Sequence, residues 1–170
     1  MTGRRPACGA FCALVAAIQV SCDHGAPEPL DEDTTVRVSD QYVIRSRDQH
    51  QYARIEAVAV NLAPKHLLFR GCGSRSLESR LRLAAPPHAI VYTQYCAIGS
   101  PTYDLAPGDT LRTVLTVYLE GPNTPKPTLA KEWLGRPLVL EVRVAEEVRQ
   151  LAPDADTAYL TSRPFTIVRR

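Results

Sequence analysis

The residues able to carry chemistry are few and widely spaced along the chain. No histidine lies at metal-ligand spacing from a cysteine, and there is no serine-hydrolase elbow, His-Glu-x-x-His, phosphate loop or dinucleotide fingerprint. The sequence therefore predicts no catalytic residue, no metal site and no cofactor, with each histidine in a tether or a solvated turn. The cysteines and histidines are Cys8, Cys12, Cys22, Cys72, Cys96, His24, His50, His66 and His88.

Charged groups offer two further candidate sites for ions. The acidic run at 31–33 lacks the spaced oxygen ligands of a calcium loop. Arg80 and Arg82 could hold an anion, but they alternate with Glu78 and form no larger basic cluster. We therefore expect ordinary, solvent-exposed faces of mixed charge there, and also around Glu141 and Arg143.

The first 21 residues have the parts of a secretory signal. Arg4 and Arg5 form a basic start, and an uncharged apolar run follows at 7–20. The run is short for a membrane span, which needs about 20 apolar residues. The sequence thus predicts a cleaved signal at 1–21, and Cys8 and Cys12 would leave with it.

The segment Gln19-Val20-Ser21-Cys22 resembles the lipobox of bacterial lipoproteins. Val20 and Ser21 fit that motif, whereas Gln19 stands where Leu, Val or Ile is usual. The resemblance implies acylation of Cys22, a membrane anchor, and a place in the bacterial cell envelope on its periplasmic or surface face. The alternative is a plain secreted protein cut nearby. Residues 22–33, acidic and rich in proline, are expected to form a flexible tether.

Export also bears on the two remaining cysteines, Cys72 and Cys96. Disulfides persist outside the cytoplasm, so an even remainder of two suggests one bridge. A redox or metal-binding pair is the alternative, although there is no Cys-x-x-Cys motif. We expect a structural disulfide.

Alternation of apolar and polar residues predicts an all-β domain at 34–170. It is clearest at 105–119, where Leu111, Thr113, Leu115, Val117 and Leu119 share one face after the turn Ala106-Pro107-Gly108-Asp109. The strand at 138–144 repeats the pattern. Together the two are expected at the centre of an antiparallel β-sandwich of about eight strands, in which 52–60 turns its alanines inward and 130–134 forms a helical turn.

Composition excludes a general affinity for nucleic acid. Without Arg4 and Arg5, the remaining 18 basic residues balance 18 acidic ones. This balance lacks the basic footprint of a nucleic-acid-binding domain.

Several turn and strand signals resemble those of uncharacterised bacterial Ig-like lipoproteins and, more distantly, the intracellular proteinase inhibitor (BsuPI-type) domain. The resemblance covers about 52–120 and rests on Val58-Ala-Val-Asn-Leu-Ala-Pro64, Cys72-Gly73, Cys96 and Leu105-x-Pro-Gly-Asp. It implies a non-enzymatic envelope lipoprotein whose Ig-like module binds an unknown protein partner or has a structural role. The alternatives are a protease inhibitor, with 120–137 as its loop although no inhibitory residue matches, and a secreted enzyme without a recognisable motif.

Overall fold

The computed structural model describes residues 34–73, 76–97, 100–146, 148 and 158–169. The predicted signal, Cys22 and the tether therefore lie outside the described residues. Within those residues the chain forms thirteen strands, one short 3-10 helix at Lys131–Trp133 and no α-helix, so the all-β prediction is confirmed. The strands are β1 (Thr34–Val38), β2 (Gln41–Val43), β3 (Arg45–Arg47), β4 (His50–Val60), β5 (Leu67–Arg70), β6 (Ser79–Leu83), β7 (Ile90–Gln94), β8 (Thr102–Leu105), β9 (Thr110–Leu119), β10 (Thr128–Leu129), β11 (Leu138–Val144), β12 (Ala158–Ser162) and β13 (Thr166–Val168).

Nine of the strands form one mixed sheet that is nearly closed into a barrel. Its order is β10-β9-β4-β1-β12-β11-β6-β7, with β3 paired to the free part of β4, and the end strands β10 and β7 approach each other. Two small ribbons, β2 with β13 and β5 with β8, complete the fold.

This arrangement corrects the expectation of an antiparallel Ig-like sandwich of about eight strands. β1 lies between β4 and β12 and runs parallel to β12, and β10 runs parallel to β9. The strands β9 and β11 are not neighbours, because β4, β1 and β12 separate them. Alternation fixes which way a side chain points, but it leaves the choice of neighbouring strand open.

The inward faces agree with the predicted alternation. Ala53, Ile55, Ala57 and Ala59 of β4 are buried against the same core as the inward residues of β9 and β11. Each fully buried leucine, isoleucine or valine contributes about 1.5–3 kcal/mol relative to an exposed one. Strands from around the curved sheet therefore each contribute apolar side chains to one core.

A buried asparagine joins two of the segments noted in the sequence. Asn61, which is fully buried, donates from Nδ2 to the carbonyl oxygens of Lys65 and Leu105, each at 2.8 Å, and accepts from the Ala63 amide. Its carbonyl accepts from the Gly108 amide at 2.8 Å, where glycine supplies the positive φ of 84° that the turn requires. The end of β4 is thus fastened to the turn that leads into β9.

The long connection between β9 and β11 is partly folded onto the core. The predicted helical turn is a 3-10 helix, and Trp133 and Leu134 pack, half-buried, against core residues. Leu129 of β10 is fully buried and anchors the preceding loop.

Candidate functional site

The disulfide predicted from the sequence is present. Cys72 follows β5 and Cys96 follows β7, and their Cα atoms lie 4.5 Å apart. The bridge therefore ties the β5–β8 ribbon to one end strand of the sheet. Among the described residues, no three cysteine, histidine or acidic side chains are grouped to hold a metal ion.

The three histidines among the described residues, His50, His66 and His88, are not grouped with one another. His66 Nδ1 lies 2.9 Å from Asp104 Oδ1 on an exposed surface, and His88 lies near the Leu83 carbonyl oxygen at 3.3 Å. His50 corrects the turn prediction, since it begins β4 and is half-buried. The turn itself is Asp48-Gln49, with φ of 50° and 68°, as in a tight hairpin between β3 and β4.

One outer face of the sheet carries a set of paired charges that we call the charge ladder. Glu141, only 5% exposed, accepts from Arg80 Nε at 2.5 Å and from Arg82 Nε at 2.7 Å. The guanidinium of Arg80 also lies 3.8 Å from the ring centroid of Tyr159 on β12. A single carboxylate is therefore shared by two arginines beneath an aromatic ring.

A second carboxylate extends the charge ladder along the same face. Glu78 accepts from Arg143 Nη1 at 3.0 Å and lies 3.9 Å from Arg70 Nη1. Arg143 is 3% exposed. These side chains do not form the solvent-exposed faces that we expected at Arg80, Arg82, Glu141 and Arg143, so that expectation was wrong. Strand β11 lies between β12 and β6 and is buried along its whole length, and its charged side chains pair with residues of neighbouring elements.

A second outer face presents arginines differently, and we call it the arginine face. It is formed by outward side chains of β1, β3, β4 and β9, as their cross-strand pairing shows: Arg45 is opposite Tyr52, and Arg37 and Arg112 lie on either side of Val58. Its arginines are exposed. They are Arg37, Arg45, Arg47, Arg54 and Arg112.

Only part of this charge is neutralised within the face. Arg47 pairs with Asp48 and Arg54 with Glu56, each at 3.3 Å, in pairs that are largely open to solvent. Across the chain segments that the structure describes, Arg37, Arg45 and Arg112 have no carboxylate partner. The face therefore carries a local positive excess although the mature chain is predicted to be neutral.

Aromatic rings occupy one end of the arginine face. The ring centroids of Tyr52 and Tyr118 are 6.1 Å apart, and His50 meets Tyr118 edge-on at 6.2 Å. All three side chains are half-buried, so each exposes part of its ring. This gives a cluster of aromatic rings, tilted to one another by 52° and 85°, next to Arg45 and Arg47.

The arginine face is concave. Three surface depressions, of about 550, 360 and 360 Å³, all include Arg54 in their lining. The largest extends toward Arg112, the second holds Tyr52 and Tyr118, and the third lies toward β2. Two of these depressions meet at Arg54, one lined by Arg45 and the other by Arg112, and we call them together the groove; the larger one also reaches Leu77 and Tyr103.

A tyrosine side chain links β7, at one end of the sheet order, to β9, whose outward side chains line the groove. Tyr92 of β7 donates from its hydroxyl to the Thr116 carbonyl oxygen of β9 at 3.2 Å. Burial, with a smaller contribution from Tyr118, raises the pKa of Tyr92 from 10.0 to about 12. A side chain therefore closes the sheet where β7 and β9 are not paired as strands.

Comparison with protein-family models finds no match, and no curated protein matches the sequence significantly. Among the described residues there is also no helix long and apolar enough to cross a membrane.

Sequence reasoning missed the arginine face. Its five arginines are spread over 76 positions from Arg37 to Arg112, and none forms a basic run. The signal that was available is the alternation of Arg45 with Arg47 and of Tyr52 with Arg54, which places each pair on one side of a strand. Joining these positions to Arg112 requires the register of β4 with β9.

Proposed function

We propose that this chain is a non-enzymatic, exported lipoprotein whose β domain binds an anionic ligand on the arginine face. The supporting observation is that Arg37, Arg45 and Arg112 lie on one concave outer face without carboxylate partners among the described residues. The anchor on Cys22 rests on the lipobox resemblance of Gln19-Val20-Ser21-Cys22. The proposal assigns the domain a binding role and no reaction.

Arginine suits this role because its planar guanidinium offers paired donors that match carboxylate, phosphate or sulfate groups. In the charge ladder, Arg80 and Arg82 already give their Nε donors to Glu141. On the arginine face, Arg45 and Arg112 keep theirs for solvent or ligand. The exposed arginines are therefore the ones available for recognition.

Binding to dextran sulfate tests the arginine face as an anion site. We expect the double variant Arg45→Ala/Arg112→Ala to bind about tenfold more weakly, since each solvent-exposed ion pair contributes about 0.2–1 kcal/mol. The matched control is Arg136→Ala, which removes an exposed arginine beside Trp133. Equal losses in the two proteins, or no binding by the wild type, would contradict the proposal.

Metabolic labelling with an alkyne fatty acid tests the anchor separately. The wild type should carry the label and Cys22→Ala should not. An unlabelled wild type, or equal labelling of both proteins, would remove the lipoprotein part of the proposal and leave the binding face untouched.

A further inference from the structure

We infer that the ligand of the arginine face is an acidic polysaccharide, a polymer of uronic acid units lying across β3, β4 and β9. This inference rests on the proposed anion-binding function and narrows it to one chemical class. It is carried by the spacing of the arginines, the aromatic rings at one end of the arginine face and the shape of the groove.

Arg45 and Arg112 are too far apart for one small anion to contact both. Arg45 is opposite Tyr52 and Arg112 is opposite Val58, so the two lie six residues apart along β4. At about 3.3 Å per residue, this is a separation of about 20 Å along the strands. Arg54 lies between them, and an extended polymer with a negative charge on successive units reaches all three.

The end of the arginine face that carries Arg45 and Arg54 suits sugar rings. Tyr52 and Tyr118 present partly exposed rings, and the hydroxyl-bearing Thr116 lies opposite Arg54 on the same face. Aromatic faces pack against the C–H surfaces of a pyranose, and hydroxyl groups exchange hydrogen bonds with sugar hydroxyls. Carboxylates on the same rings then meet the guanidinium groups.

The concavity favours a chain over a membrane surface. Two depressions share Arg54 and lie next to each other along β4, one with Tyr52 and the other with Arg112 in its lining. A strand of polymer fills such a groove. A bilayer surface is flat on this scale and would leave the bottom of the groove without contacts.

Four probes separate the inference from its alternatives. They are polygalacturonate, poly-L-glutamate, uncharged dextran and a single-stranded oligo-dT, measured by calorimetry on the mature protein. We expect polygalacturonate to bind at least tenfold more tightly than poly-L-glutamate and oligo-dT, and dextran not to bind. Equal or tighter binding of poly-L-glutamate or oligo-dT overturns the inference.

Variants of Tyr52 test the contribution of the ring. Tyr52→Leu should weaken polygalacturonate binding about three- to tenfold, the size typical of an aromatic contact, and leave the binding of poly-L-glutamate, which has no sugar rings, unchanged. Tyr52→Phe keeps the ring and should retain most of the affinity. An equal loss for both polymers in Tyr52→Leu overturns the sugar-ring contact.

A measurement on the wild type keeps the inference testable if Tyr52→Leu does not fold. Oligogalacturonate should shift the NMR signals of Tyr118 and Thr116 and leave those of Val139 in β11 unchanged. The absence of shifts on the arginine face overturns the inference. If dextran sulfate binds through Arg45 and Arg112 but polygalacturonate does not bind better than poly-L-glutamate, the anion-binding function stands and only the uronic acid polymer is excluded. If no polyanion binds, both fail.

Discussion

The charge ladder and the arginine face lie on the same sheet and are both rich in arginine, but the arginines are paired and partly buried in the first and exposed in the second. In the charge ladder the side chain of Glu141 is 7% exposed and binds two arginines, whereas on the arginine face the side chain of Glu56 is 69% exposed and pairs, among the described residues, with Arg54 alone. A buried carboxylate with several donors has been taken out of water and depends on its partners. A solvated one does not. The difference separates arginines that hold the fold from arginines that are available to a ligand.

The largest effect should follow from Glu141→Ala. This change leaves Arg80 and Arg82 partly buried without their shared carboxylate, and it should lower the free energy of unfolding by about 3–5 kcal/mol. Urea unfolding followed by circular dichroism measures the loss. The matched control is Glu56→Ala, and a similar loss in both variants would show that the distinction between the two faces is wrong.

Removing the disulfide should have the next largest effect. Replacing both Cys72 and Cys96 with alanine frees a loop with a sequence separation of 24 residues. In the chain-entropy model this lowers the free energy of unfolding by about 3 kcal/mol. Cys96 Sγ lies 3.9 Å from the carbonyl oxygen of Arg70, whose side chain lies beside Glu78 in the charge ladder. We therefore expect the lost bridge to weaken the packing around the charge ladder and not around the arginine face. Dextran sulfate binding measured below the unfolding transition should stay as in the wild type, and a parallel loss of binding would contradict this separation.

Tyr92 tests the junction between the two regions. Tyr92→Phe removes the hydrogen bond to the Thr116 carbonyl and should cost about 1 kcal/mol of stability. The raised pKa adds a pH dependence, since the folded state keeps the phenol proton at pH values where the unfolded state has lost it.

The contribution of Tyr92 is therefore complete below pH 10 and is lost as the pH rises toward about 12. Between pH 9 and about 12, the free energy of unfolding should decrease more steeply with pH for the wild type than for Tyr92→Phe. Urea unfolding at each pH measures it. Identical slopes for the two proteins would exclude this role of the buried phenol.

The smallest change in stability is expected on the arginine face. The double variant Arg45→Ala/Arg112→Ala should alter the free energy of unfolding by no more than about 0.5 kcal/mol, because exposed charges without close partners contribute little. Thermal unfolding of this variant and of the wild type makes the comparison. A loss above about 2 kcal/mol would show that these arginines are structural.

Local pattern was sufficient to predict the strand faces but not the strand neighbours. The inward positions of β4 and β9, such as Ile55 and Leu115, follow from period-two alternation within each segment. The place of β1 between β4 and β12 depends on residues more than a hundred positions away in the sequence. No local signal contains that information.

The candidate site was hidden for the same reason. Glu141 and Arg143 alternate with apolar residues as solvent-exposed charges do, and only the register with β6 shows that Arg80 and Arg82 meet Glu141. A complementary alternation of arginines in 79–83 and a glutamate in 138–144 was visible in the sequence and is the signal that could have been used. The arginine face combines strands from both ends of a 76-residue interval, so its charge excess becomes visible only when the sheet is assembled.

The central position of β1 has a mechanical consequence. Thr34 begins β1 near the Val60 end of β4, whereas Tyr118 lies at the Tyr52 end, so the two are at opposite ends of the strands. A ligand held near Tyr118 and pulled against an N-terminal attachment would load β1 along its length, with the hydrogen bonds to β4 and β12 sharing the force. Bonds loaded in shear must break together, whereas bonds peeled from one end break singly. Single-molecule pulling between the N-terminus and position 118 should therefore meet a higher unfolding force than pulling between the N-terminus and position 110, which lies beside the start of β1.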